Sequence, residues 1–184
     1  MHLFFAGIKH CGKSTIARLL SEEYHKPFKD TDDLITDLIA PLSVREFYQA
    51  QGKDSFNQLE FNALSHYLQD KNQEQTIALG GGACDNKPLI HLCKEQGALI
   101  YLFLDEETLW KRIIKDGIPP FLQADSPRSS FHDLYMVRNE RYQQFCTLLI
   151  TLDGSKSPQE NLETIKQSLQ RGGLLWDQTP LETQ

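Results

Sequence analysis

The chain has 184 residues, 40% of them hydrophobic and 24% charged, so one domain with a sizeable core is expected. Against 25 Asp and Glu stand 19 Lys and Arg, a formal charge of −6, which offers no basic footprint for nucleic acid or an anionic membrane. The longest apolar run, residues 98–104, is far too short to span a bilayer, and four scattered cysteines without C-x-x-C spacing read as free thiols of a reducing compartment.

The first apolar run, Leu3 to Ala6, reads as a strand that starts too close to Met1 to leave room for a signal peptide, so a cytoplasmic protein is expected. It leads into Gly7-Ile8-Lys9-His10-Cys11-Gly12-Lys13-Ser14-Thr15, which spells G-x-x-x-x-G-K-[ST]. Ile16, Ala17, Leu19, Leu20 and Tyr24 follow at helical spacing. Strand, tight turn and helix in that order are the setting of a P-loop. Gly7 and Gly12 let the backbone curl so that N–H groups, those of His10, Cys11 and Thr15 included, cradle phosphate oxygens at the positive end of a helix. Lys13 reaches the terminal phosphates, and the Ser14 hydroxyl serves a magnesium ion. A nucleoside triphosphate is the expected ligand.

A weaker strand pattern surrounds Phe28 and ends in Asp30-Thr31-Asp32-Asp33. In a P-loop fold the end of the next strand lies beside the phosphates, where Asp30 would hold magnesium and Asp32 would accept the proton of an attacking hydroxyl. Two acids one residue apart on extended chain point the same way. The competing reading is a helix cap; Asp33 is assigned that part, before the helix at Leu34. Residues 34–69 carry helical periodicity, clearest over Ser55–Gln69, and suggest a helical lobe over the sheet.

Three further continuous apolar runs, Thr76–Leu79, Ala98–Leu104 and Leu148–Leu152, suit strands of a parallel sheet covered on both faces. Helical patterns alternate with them at Pro88–Glu95, Glu106–Ile114 and Gln159–Leu169. That alternation predicts an α/β doubly wound fold. Gly80-Gly81-Gly82 closes the Thr76 strand; three glycines there suggest close backbone approach, with N–H groups offered to a substrate or a phosphate. Residues 115–130 hold Gly117, Pro119, Pro120 and Pro127, which excludes a regular helix through most of the segment and suggests a lid. Arg138 and Tyr142 lie four apart in a helical stretch, where a plain surface ladder with Glu140 and Arg141 is a serious alternative. Lys156 follows the last strand in a loop placed to meet a nucleotide base. The polar tail, 172–184, is expected to be loosely held, with Trp176 docking it. Cys11 is either an activated thiol near Lys13 or an inert buried filler.

The ordered set of Lys13-Ser14-Thr15, Asp30-Thr31-Asp32, Gly52…Phe56…Glu60, Gly80-Gly81-Gly82 and Arg138…Tyr142 resembles the shikimate kinase family over nearly the whole chain. The resemblance implies a P-loop nucleoside kinase-like domain over 1–171, with a five-stranded parallel sheet flanked by helices. It places a substrate-binding lobe at about 32–70 and a lid at about 115–130. It implies ATP and Mg2+, and transfer of a phosphoryl group to the 3-hydroxyl of shikimate. By position, Ser14 and Asp30 would serve the metal, Arg112 would stack on adenine, and Asp32 would hold the ring hydroxyls and act as base. Gly80, Gly81 and Gly82 would line the acceptor, and Arg138 would bind its carboxylate.

Three positions depart from the family pattern. Asn57 stands where the family has a substrate-binding arginine, Pro119 where it has a lid arginine, and His10 where its P-loop has glycine. Exchanging a bidentate arginine for an amide forfeits about 1.5–3 kcal/mol of charge-assisted bonding. A proline cannot stabilise developing phosphoryl charge. The change at His10 is expected to be mild. Lys53, four residues before Asn57, is the candidate compensating cation, and Lys115 and Arg128 are those of the lid. Two alternatives stand beside shikimate phosphorylation: a related kinase of another small polyol or hydroxy acid, and a nucleotide-binding protein with little or no turnover. A monomer is expected, since no apolar stripe calls for a partner.

Overall fold

The computed structural model describes residues 1–69, 73–118, 122 and 126–176. The expectations resting on Pro119 and on 177–184 of the tail lie outside those residues.

Five strands form one all-parallel sheet: β1 (His2–Ala6), β2 (Phe28–Asp30), β3 (Thr76–Ala78), β4 (Gly97–Phe103) and β5 (Leu148–Thr151). Their order is β2-β3-β1-β4-β5. β1 sits in the centre, wholly buried, and β3, next to it, is buried as well; this is why both read as unbroken apolar runs. The helices are α1 (Lys13–Glu23), α2 (Thr31–Ile39), α3 (Val44–Gln69), α4 (Lys87–Gln96), α5 (Glu106–Asp116), α6 (Pro127–Phe145) and α7 (Pro158–Arg171). β1 is flanked by β3 on one side and β4 on the other, so the chain changes winding direction there. A crevice opens at the carboxyl ends of the strands, where ligands of such folds bind.

The helical stretch of 34–69 is present, and its two helices close a small core of their own. Ile35, Ile39 and Ala63 are buried there, with Phe47, Phe56 and Leu59 packed against them. α3 is broken at Gly52, whose φ of 77° and ψ of −179° interrupt the helix, so Lys53 opens its second segment. Two sequence expectations need correction. The helix cap belongs to Asp30, not Asp33: Asp30 Oδ1 accepts from the Asp32 N–H at 3.0 Å. Asp32 therefore lies in the first turn of α2 rather than on extended chain.

Of the segment expected to be a lid, residues 119–121 and 123–125 lie outside the described residues, and its last four belong to α6. Pro127 occupies the first turn of α6, where its missing N–H costs nothing, and residues 127–130 are helical. Arg128, one of the cations suggested for the lid, is committed to Glu106 at 2.6 Å and Glu107 at 3.1 Å and lies over the Trp110 ring. Trp176 docks as expected: it is buried, packs edge-on against Tyr24, and donates through Nε1 to the Met1 carbonyl at 3.1 Å. No helix among the described residues is long and apolar enough to cross a membrane.

Candidate active site

The P-loop runs from the end of β1 to the start of α1. Gly7 has no room for a side chain: a Cβ would lie 2.7 Å from Cys11 Sγ and 2.8 Å from the Leu102 carbonyl. Cys11 itself is 2% exposed and fills the space under the loop, which favours the filler reading of this thiol. His10 takes a left-handed φ of 70°. This position of the loop therefore does require unusual backbone, and the change from glycine is less innocent than the spacing alone suggested. Two contacts hold it. Arg112 Nη1 donates to the His10 carbonyl at 3.0 Å, and His10 Nδ1 lies 3.2 Å from Asp116 Oδ2. Burial, and then the nearby Lys9 charge, push the imidazole below its ordinary range, so it stays neutral around pH 7. Arg112, for which the resemblance implied stacking on adenine, thus reaches the P-loop backbone. Lys156 stays within its own loop, 4.0 Å from Asp153.

At the start of α1, Lys13 is buried, and Ser14 Oγ donates to Asp30 Oδ2 at 2.6 Å. The two groups assigned to metal are therefore adjacent. A hydroxyl and a carboxylate are hard oxygen donors suited to magnesium, which keeps water and phosphate oxygens for its other positions. Among the described residues no group of three or more His, Cys, Asp or Glu side chains could cage a metal alone, so an ion here would lean on the nucleotide. Asp32 stands beside this pair, open to the cleft yet shielded by its walls. Desolvation, reinforced by Asp30, raises its carboxyl above the ordinary range despite the opposing Lys13 and Lys9 charges.

The three glycines line one wall, and each has a different neighbour. The Gly80 N–H donates to Thr31 Oγ1 at 3.0 Å, and a Cβ there would meet Asp32 Oδ1 at 3.1 Å and Glu60 Oε1 at 3.2 Å. A Cβ on Gly81 would sit 2.9 Å from the Lys9 backbone nitrogen, against the P-loop. A Cβ on Gly82 would sit 3.0 Å from Arg138 Nη2. The expected close approach is real, and these groups make it.

Arg138 is no member of a surface ladder. Its Nη1 donates to the Gly81 carbonyl at 3.3 Å, and its Nε and Nη2 donate to Asp85 Oδ2 at 3.2 and 2.9 Å. The buried Tyr142 hydroxyl donates to the same Gly81 carbonyl at 3.2 Å and stacks its ring on Tyr101. Arg141 reaches the other oxygen of Asp85 through Nη1. Lys53 and Asn57 line a common cavity of about 710 Å³ with Asp85 and Arg141, so the structure does bring the proposed compensating cation to the altered position.

Sequence reasoning assigned no role to Asp85 or Asn86, quoted Glu60 only within the family motif, and placed Arg141 only in the alternative surface ladder. Asp85 carried a usable signal, an acid three residues beyond a glycine-rich strand end. Glu60 carried another, an acid within the apolar stripe of Phe56, Ala63 and Leu64. It is 4% exposed, accepts from Asn86 Nδ2 at 3.0 Å, and burial raises its carboxyl to about 7. Asn86 Nδ2 also holds the Asn57 carbonyl at 2.8 Å, fixing that turn of α3 against the start of α4.

The shikimate kinase family profile matches residues 9–170. The shikimate kinase of Streptococcus gordonii is 31% identical over 167 residues, covering 90% of this chain and 99% of that protein. That of Nitrosospira multiformis is 29% identical over 168 residues, covering 91% and 84%. Among solved structures, the shikimate kinase of Acinetobacter baumannii in complex with shikimate aligns with a TM-score of 0.82 and 23% identity over 95% of each chain. The Aquifex aeolicus enzyme aligns at 0.73 with 24% identity, over 95% of this chain and 99% of that one. These last two show the fold.

Proposed function

Because this chain belongs to the shikimate kinase family, we propose that it transfers the γ-phosphoryl group of ATP to the 3-hydroxyl of shikimate, giving ADP and shikimate 3-phosphate. The observation that carries the reading is the junction of two half-sites at one sheet edge. The P-loop with Lys13 and the Ser14–Asp30 pair faces Asp32, which lies 3.1 Å from the position a Gly80 Cβ would take, on the wall that ends at Arg138.

Backbone N–H groups of the P-loop and the Lys13 ammonium hold the phosphates, and Arg112 braces the loop from outside. Ser14 and Asp30 would hold magnesium, which when bound neutralises charge on the β- and γ-phosphates. Asp32 takes the proton from the acceptor hydroxyl as that oxygen bonds to the γ-phosphorus, while the bond to the β-phosphate oxygen breaks and ADP departs. A carboxylate raised above its ordinary range is a better proton acceptor than a free aspartate, which suits that part. The rest is positioning and electrostatics. The four free thiols accord with the reducing, cytoplasmic setting that goes with this reading, and a monomer is proposed with it.

Asn57 favours a second reading, a related hydroxy acid as the preferred acceptor. Both are tested by ADP release from purified protein with ATP, Mg2+ and shikimate, beside a panel of small polyols and hydroxy acids. Turnover with shikimate at the highest kcat/KM supports the first reading. Turnover confined to another acceptor supports the second, and none on any acceptor overturns both.

A further inference from the structure

We propose that Arg141 determines acceptor specificity: it supplies the second guanidinium for the acceptor's carboxylate, held beside Arg138 by Asp85 on the cavity that Asn57 also lines. The inference rests on the phosphoryl transfer to a carboxylate-bearing acceptor argued above.

Asp85 is bound from two sides, by Arg138 at Oδ2 and by Arg141 at Oδ1. An Arg138–Asp85 pair alone is neutral and presents little field to an anion. Adding Arg141 leaves one net positive charge on this cluster, which is what a monocarboxylate needs. Burial sharpens the point. The Asp85 and Arg138 side chains are only 16% and 20% exposed, so their surroundings screen the residual charge less than bulk water does.

Donor geometry divides the work between the two arginines. Arg138 uses Nε, Nη1 and Nη2 on Asp85 and the Gly81 carbonyl, which fixes its plane. Arg141 binds Asp85 through Nη1 and is the most open of the three side chains, at 43% exposure. Four of its five N–H groups remain for a ligand, beside the two that Arg138 keeps. Arg141 borders a cavity of about 710 Å³ together with Lys53, Asn57 and Asp85, and Asp85 joins that space to Arg138 on the wall of the three glycines. An asparagine at 57 supplies hydrogen bonds to that space but no charge. Lys53 and Lys87 bring point charges to it, and Arg141 brings the planar guanidinium that pairs a carboxylate through two N–H groups.

The alternative is that Arg141 and Asp85 form a structural ion pair with no part in recognition. Steady-state kinetics of Arg141→Gln, with shikimate and with its uncharged methyl ester, separate the two. The expected result is a KM for shikimate raised about tenfold or more, the loss of one charge-assisted contact. kcat and the KM for ATP should change less than about twofold, since such a contact binds ground and transition states alike. The penalty should vanish on the methyl ester, and adding Asn57→Arg to Arg141→Gln should recover most of the lost affinity. An unchanged KM for shikimate in Arg141→Gln, or an equal penalty on acid and ester, overturns the proposal while leaving the kinase reading intact. Failure of the unmodified protein to phosphorylate shikimate or any other acceptor overturns the kinase reading, and this proposal with it.

Discussion

Ser14 Oγ and Asp30 Oδ2 lie 2.6 Å apart, and the other oxygen of the same carboxylate caps α2 through the Asp32 N–H. One side chain thus joins the start of α1 to the start of α2. Asn is as good a cap as Asp but carries no charge, so two substitutions separate the structural role from the metal role. Asp30→Ala is expected to lose about 1 kcal/mol of stability. Asp30→Asn should keep its melting temperature within about 2 °C of the unmodified protein. Both should need much more Mg2+ for half-maximal activity. Melting curves beside Mg2+ titrations check this, and a normal Mg2+ requirement in Asp30→Asn would remove Asp30 from the metal site.

Asp32→Asn is expected to lower kcat by about 10²–10⁴-fold, the usual range for a lost general base, with little change in folding. The unmodified enzyme should show an acid limb set by the same residue. A base works only when deprotonated, and this carboxyl is raised by desolvation and by Asp30, so activity should fail at higher pH than for an ordinary aspartate. A pH profile of kcat/KM with no limb above the ordinary aspartate range would count against Asp32.

Gly81 and Gly82 should respond differently to a single added methyl group. At Gly81 a Cβ meets the Lys9 backbone at 2.9 Å, which cannot yield without moving the P-loop; at Gly82 it meets the far end of the Arg138 side chain. Gly81→Ala is therefore expected to raise the KM for ATP and lower kcat. Gly82→Ala should raise the KM for the acceptor and leave that for ATP unchanged. Initial-rate kinetics with each substrate varied in turn distinguish the patterns.

Glu60 makes stability depend on pH. Its ordinary pKa of 4.5 is raised to about 7, chiefly by burial, so between those values the folded protein keeps a proton the unfolded chain has lost. Stability contributed by this group is greatest at the acid end of that window and declines as pH rises through about 7. The decline amounts to about 3 kcal/mol at most. Glu60→Gln, which does not titrate, should melt higher than the unmodified protein at pH 8, with the advantage shrinking towards pH 5. Parallel melting curves at the two values test it.

The strands and the P-loop were legible in the sequence because buried parallel strands write themselves as unbroken apolar runs, and a phosphate cradle demands particular residues at fixed spacing. Asp30 and Asp32 were legible for the same reason, although their secondary structure was not: an Asx cap turns the chain into a helix three residues before hydrophobic periodicity begins at Leu34. What escaped was pairing across space. Nothing local to Asp85 announces that two arginines more than fifty positions away converge on it. Nothing in the spacing of Glu60 reveals that Asn86 meets it, because both depend on how α3, α4 and α6 pack around the three-glycine turn.

The Gly81 peptide lies between the P-loop and Arg138: a Cβ there would meet the Lys9 backbone, and its carbonyl accepts from Arg138 and Tyr142. With nucleotide on the first surface and acceptor on the second, as proposed, binding of the two is expected to be linked thermodynamically. A nucleotide that shifts the loop changes the free energy of acceptor binding, and the acceptor must change nucleotide affinity by the same factor. Calorimetric titration of each ligand with and without the other would close that cycle, and Gly81→Ala, which props the two surfaces apart, should bring the factor towards one.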